Sequence, residues 1–409
     1  MKNQKILFLA VILLFSMLAS SATPNIPTSG RTKLDQNTQL TIYTYNSLLA
    51  DPGYDFVTAF EQYAGISSGS VQVVYLNDAG TIVTRANAEK ANPVADVLVG
   101  LDNILVSQAR KLDLLTPYVP ANASQILPGL VDGLAPDYLL TPYDWGVISL
   151  YYIKDRVPST LDTQNFTLAD LFNPDIADQL ILENPNISSP GLGFLLSTIA
   201  LYGDNSTGIN GVTNGNWENL WQFLSDHARM TDSWLEAYNL LTQKQADRSI
   251  MISYSTSPAY DTCQYDDNST ASLLTHENGT QWGWQQIEGL GLVKNAKHPD
   301  LAKKFIDWFI SPQLQDQIYQ NQWIYPAIMG ITTPDCFVTA ITSDSLTPLN
   351  DYISINQIST NLDSWLNRWE NAWVQVSAGK NLFDFALLPN VFIIFVILIP
   401  IVKRKGKLI

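Results

Sequence analysis

The sequence is short of the residues from which catalytic metal centres and nucleic-acid interfaces are built. Its 409 residues hold three histidines and two cysteines, with no Cys-x-x-Cys and no His-Glu-x-x-His. The usual ligand spacings of a catalytic zinc site are therefore missing. Positive charge is also scarce: 23 Lys and Arg stand against 38 Asp and Glu, a formal charge of −15. A protein that neutralises phosphates needs a basic face, so this balance argues against nucleic acid as a partner. Charged residues make up only 15% of the chain, and no internal repeat is evident. What is plentiful is aromatic: 11 Trp, 18 Tyr and 15 Phe. The length allows two domains, each with its own core, and the acidic field suits a small cationic ligand.

The few basic residues are concentrated at the ends. Lys2 and Lys5 precede an apolar run from Ile6 to Leu18, which has the length of a signal-peptide core and is short for a membrane span. A signal peptide is expected over 1–22, with no lipobox cysteine; an uncleaved anchor is the alternative. Residues 23–38 are polar and punctuated, a linker. At the other end, Phe385 to Val402 is largely apolar and runs into Lys403-Arg404-Lys405-Gly406-Lys407. That pattern predicts a transmembrane anchor over 385–402 and a cytoplasmic tail over 403–409. Without the six terminal positives the exported part carries about −21. Six Asn-x-Ser/Thr sequons, at Asn122, Asn165, Asn186, Asn205, Asn268 and Asn278, fit a glycosylated exterior. In that oxidising setting Cys263 and Cys336 are expected to pair.

Between the ends, strands alternate with helices, the pattern of an α/β sheet. Strands are expected at Leu40–Tyr45, Ser70–Leu76 and Asp96–Val99, and longer ones at Tyr143–Lys154 and Trp282–Val293 that cross between two domains. Helices are expected around Val57–Tyr63, Asn165–Phe172, Trp217–His227, Trp234–Leu241, Pro299–Ile310 and Leu362–Val376. In the last of these, Trp365, Trp369 and Trp373 recur every four residues, a core-packing stripe. Two strand-to-helix turns share one grammar. Ile250-Met251-Ile252 leads into Ser253-Tyr254-Ser255-Thr256-Ser257-Pro258-Ala259-Tyr260, and Leu180-Ile181-Leu182 leads into Ser188-Ser189-Pro190-Gly191-Leu192-Gly193. Ser257 reads as an N-cap with Pro258 in the first helical position, at a strand end where open α/β sheets collect ligands.

Taken together with Tyr43-Thr44-Tyr45, Val99-Gly100-Leu101-Asp102-Asn103, Trp234-Leu235-Glu236-Ala237-Tyr238 and Trp323-Ile324-Tyr325-Pro326, these blocks resemble the thiamine-binding periplasmic proteins of ABC importers over residues 40–375. The resemblance implies a two-lobed, type II periplasmic-binding-protein-like clamshell. Lobe 1 would comprise 39–145 and return over 284–378; lobe 2 would comprise 146–283. It further implies thiamine or a thiamine phosphate as ligand, an ABC permease as partner, no cofactor and no chemistry, with the domain outside the cell on its anchor. Tyr45, Asp102, Ser188 or Ser189, Trp234, Tyr254, Tyr260 and Trp323 would line the cleft. Thiamine pairs a flat aminopyrimidine with a cationic thiazolium, which aromatic faces and a carboxylate suit; Asp102 can equally be an Asx-turn residue. Asn46 and Pro52 depart from the family, which carries an acid and a tryptophan there.

Two rival readings remain. A thiaminase-like enzyme would need Cys263 or Cys336 as a nucleophile. A ferric-ion receptor would use phenolates such as Tyr151-Tyr152, though that pair sits inside an apolar strand.

Overall fold

Strand β1, Leu40–Tyr45, is buried along its whole length, because helices cover both faces of a parallel sheet. It pairs in parallel with β2, Val71–Leu76, and with β3, Val97–Asp102. This computed structural model describes residues 38–204, 208–209, 216–341 and 346–383. The expected signal peptide, the anchor, the basic tail and nearly all of the linker lie outside them. Among the described residues no helix is long and apolar enough to cross a membrane.

Two long antiparallel strands hold the sheet together. They are β4, Thr141–Ile153, and β8, Thr280–Val293. With β5 (Leu180–Glu183), β6 (Arg229–Thr231) and β7 (Ile250–Tyr254), the order is β2-β1-β3-β8-β4-β7-β5-β6. Glu288–Leu292 of β8 pairs with β3, while its Trp284–Leu290 stretch pairs with β4. Beyond Ile148, β4 instead pairs with β7. Each long strand thus pairs with strands on both sides of the sheet.

The longer helices include five of the six that periodicity predicted and others that it did not. They are α1 (Phe56–Ala64), α2 (Ala79–Ala88), α3 (Leu105–Lys111), α4 (Ser189–Tyr202) and α5 (Asn216–His227). Then come α6 (Trp234–Thr242), α7 (Pro258–Tyr265), α8 (Pro299–Phe309), α9 (Pro312–Asn321) and α10 (Ile355–Phe383). The stretch expected as a helix at 165–172 is only a 3₁₀ turn, Leu168–Phe172. Thr167 and Asp170 close a capping box there, and the run ends at Asn173, which caps a separate short α-helix, Pro174–Ala177.

After α9 the chain turns back across the sheet. Tyr325 pairs with Trp145, Ile341 bonds to Ser255, and Thr347 pairs with Trp282. Helix α10 then docks on α5: Trp369 meets Trp221 edge-on at 5.9 Å, and Arg368 lies 4.8 Å over the Trp217 ring while reaching Asp204 and Glu218. The tryptophan stripe is core packing against residues 216–227. Gly379 and Lys380 lie within α10. A single glycine costs a helix only about 1 kcal/mol.

Candidate functional site

A well-formed cavity of about 230 Å³ opens between the two halves of the sheet. Tyr45, Ser189, Trp234, Tyr254, Tyr260 and Trp323 line it, joined by Asp51, Asp78, Tyr238, Glu288 and Gln322. No lysine, arginine or histidine does. Ser188 and Asp102 are buried behind the wall. Asp102 accepts from the backbone N–H groups of Ile104 and Leu105 at 2.9 and 2.7 Å. That is the Asx-turn arrangement at the start of α3.

The rim is aromatic. Trp234 and Tyr238, one turn apart on α6, stack at 5.2 Å and 12°. Tyr260 on α7 meets Tyr238 edge-on at 6.2 Å and Trp323 at 5.2 Å. Trp234 is pinned by its indole N–H donating to Ser253 Oγ at 2.7 Å, and Trp323 by donating to the Asp51 carbonyl at 2.6 Å. Below the rim, Cys263 on α7 and Cys336 form a disulfide. Neighbouring Phe337 stacks on Trp323 with ring centroids 6.5 Å apart. The cross-link therefore sits under two of the rim's rings, and neither cysteine is a free thiol.

The floor is acidic. Tyr45 and Tyr143 both donate to Glu288 Oε2, at 2.7 and 2.5 Å, and the Gln286 amide donates to its other oxygen at 2.9 Å. Burial, chiefly, pushes the Glu288 carboxyl up to about 7, against those hydrogen bonds. Asp144 is fully buried and neither of its oxygens has a hydrogen-bond partner among the described residues. Burial first and the Glu288 charge second hold its pKa well above the carboxylate range. Asp78 accepts from the Ala79 N–H at 2.7 Å and, across the cleft, from the Trp234 N–H at 3.4 Å. Burial raises it to about 6 despite those donors. Gly100 leaves the space for Tyr45, since a Cβ there would stand 2.2 Å from the ring.

The two Ser-Pro turns keep their prolines in the first helical turn but not the expected cap. Ser257 already has helical backbone angles, so its hydroxyl bonds to Ser253 Oγ at 2.7 Å and accepts from the Tyr254 N–H. Ser188 makes no side-chain cap either. The Ser189 hydroxyl faces the Asp102 carboxylate without reaching good hydrogen-bond geometry. Gly191 lets α4 descend onto β5, because a Cβ would stand 2.3 Å from the Glu183 carbonyl oxygen. Tyr151 donates to Asp261 at 2.5 Å and lies away from the cavity, as does Tyr152. Among the described residues no His, Cys, Asp and Glu group is arranged to hold a metal ion.

Residues 46–316 match the family described as bacterial extracellular solute-binding protein, well over half of the chain. The chain belongs to that family. The thiamine-binding periplasmic protein of Salmonella typhimurium is 30% identical over 339 residues, covering 81% of this chain and 93% of that one. A solved periplasmic thiamin binding protein superposes with TM-score 0.68 at 27% identity, covering 82% and 96% of the two chains. A ferric binding protein from Campylobacter jejuni superposes with TM-score 0.62 at 17% identity, a likeness of fold alone. As a solute-binding protein, the chain has an α/β periplasmic-binding-protein fold, and its relatives are named as binding proteins.

Sequence reasoning missed Glu288, Asp144, Asp78 and Tyr238. A lone acid inside an apolar strand such as Thr280–Val293 was the available signal for Glu288. Nothing local marks the side chains that tertiary packing brings beside it.

Proposed function

We propose that this solute-binding protein binds thiamine in the cleft and delivers it to an ABC permease, without catalysing a reaction. The observation that carries the reading is a cavity with an aromatic rim, three carboxyls and no basic side chain. A quaternary thiazolium over Trp or Tyr gains about 0.5–2 kcal/mol, more where water is excluded. The relatives' names point the same way. With no basic group on the walls, free thiamine fits better than its phosphates; the N-terminus of α4 is the remaining phosphate-compatible feature.

The site comprises Tyr45, Ser189, Trp234, Tyr238, Tyr254, Tyr260, Glu288 and Trp323, with Asp102 and Ser188 supporting the wall. Lobe 1 runs over 39–145 and returns over 284–378, and lobe 2 comprises 146–283. Residues 385–402 anchor the chain outside the cell and 1–22 direct its export. Calorimetry with thiamine tests the ligand: no heat at micromolar protein overturns it. External protease on intact cells tests the anchor, since a digested 403–409 tail would mean that 385–402 does not cross.

A further inference from the structure

Three neighbouring strands place an acid at the same level of the sheet. Glu288 of β8 is in register with Asp102 of β3 on one side and with Asp144 of β4 on the other. Directly opposed like charges are unfavourable even on an exposed sheet, and here all three are 0–5% exposed. Other groups face Glu288: Tyr45 from β1, Tyr143 from β4, Tyr254 from β7, Asp78 at the start of α2, and Gln286 on its own strand. None of them is cationic. Among the described residues, no salt bridge involves Asp78, Asp102, Asp144 or Glu288. Of the row, Glu288 alone reaches the cavity.

Buried carboxylates without a counter-charge take up protons rather than stay ionised. The hydrogen bonds decide where the charge goes. Both tyrosines and the Gln286 amide donate to Glu288, a set that favours its carboxylate form, whereas Asp144 has no donor at all. We propose, resting on the cleft reading above, that Glu288 is the charge-selecting residue of the site. In the empty cleft the row Asp102–Glu288–Asp144 retains a proton; a cationic ligand takes the place of that proton, which leaves to solvent. Neutral molecules of the same shape leave the proton in place and lose the electrostatic gain.

The test is calorimetry of the purified full chain with thiamine at pH 7, in phosphate and in Tris, whose ionisation heats differ. The expected result is net proton release, with affinity rising up to about tenfold per pH unit below the midpoint of the row and flattening above it. The aminopyrimidine half of thiamine, which lacks the thiazolium charge, should bind without proton release. Glu288→Gln should weaken thiamine binding and flatten its pH dependence. Tight thiamine binding with no proton exchange overturns the inference and leaves the ligand reading standing. If thiamine does not bind, the ligand reading falls and the unliganded chain decides the proton store. A melting temperature that falls from pH 5 to pH 8, and falls less in Glu288→Gln, supports it; parallel curves overturn it.

Discussion

The rim and the floor of the cleft obey opposite rules. The rim's rings, Trp234, Tyr238, Tyr260 and Trp323, satisfy one another: they stack and meet edge-on, and both indole N–H groups donate to fixed partners. The floor does not, because Asp144 and one oxygen of Asp102 are buried with no hydrogen-bond partner among the described residues. Aromatic packing stabilises the empty protein, whereas a crowd of carboxyls costs it stability until protons or a cation arrive. The rim supplies shape and the floor supplies charge selection, and mutations should separate them.

The largest expected effect comes from below the rim. Replacing Cys263 and Cys336 with serine removes a cross-link between residues 73 apart, worth about 4 kcal/mol on a chain-entropy estimate. Melting temperature should drop sharply, and thiamine affinity with it, because Tyr260 and Trp323 lose their common support. A melting curve unchanged by the double substitution would show that packing alone holds the rim.

Next come the rings themselves. Trp323→Ala and Tyr260→Ala should each weaken thiamine binding by about 1–2 kcal/mol, roughly a decade in affinity, with the fold intact by circular dichroism. Equal affinity in either variant would remove that ring from the site.

The floor should behave in the opposite way. Asp144, held well above the carboxylate range, and Asp78, pushed up to about 6, keep protons that unfolded carboxyls have lost. Their contribution to stability is present below the unfolded aspartate value of about 3.9, and is lost as pH rises through the folded values. Asp144→Asn should therefore raise the melting temperature of the empty protein at pH 8, and by less at pH 5. A drop at both pH values would mean that the Asp144 carboxylate is structurally required.

The smallest effect on binding belongs to Asp102. Asp102→Asn should cost about 1 kcal/mol of stability by weakening the turn into α3, and shift thiamine affinity by less than threefold. A tenfold loss in calorimetry would bring Asp102 into contact with the ligand.

Much of the fold was legible because its signals are local. Leu40–Tyr45 and Val147–Ile153 are runs rich in strand-forming residues, and α8 carries Phe305 and Phe309 on one face beside Pro299 at its start. The rim was legible too, through aromatic blocks shared with a family. The 3₁₀ turn at Leu168–Phe172 was misread as a longer helix because helical composition says nothing of the Asn-Pro that follows. Ser257 was misread as a cap because the sequence does not reveal that its backbone is already helical.

By itself the sequence determined the alternation of strands and helices, the acidic balance and the aromatic stock, since each depends on residue type and short spacing. Only the tertiary structure decided which acids meet. Asp102, Asp144 and Glu288 are far apart in the chain and belong to three strands, and the pairing register alone sets them side by side. Register in turn follows from which residues the whole sheet can bury. The charge of the cleft is thus a property of the packed sheet rather than of any one of its strands.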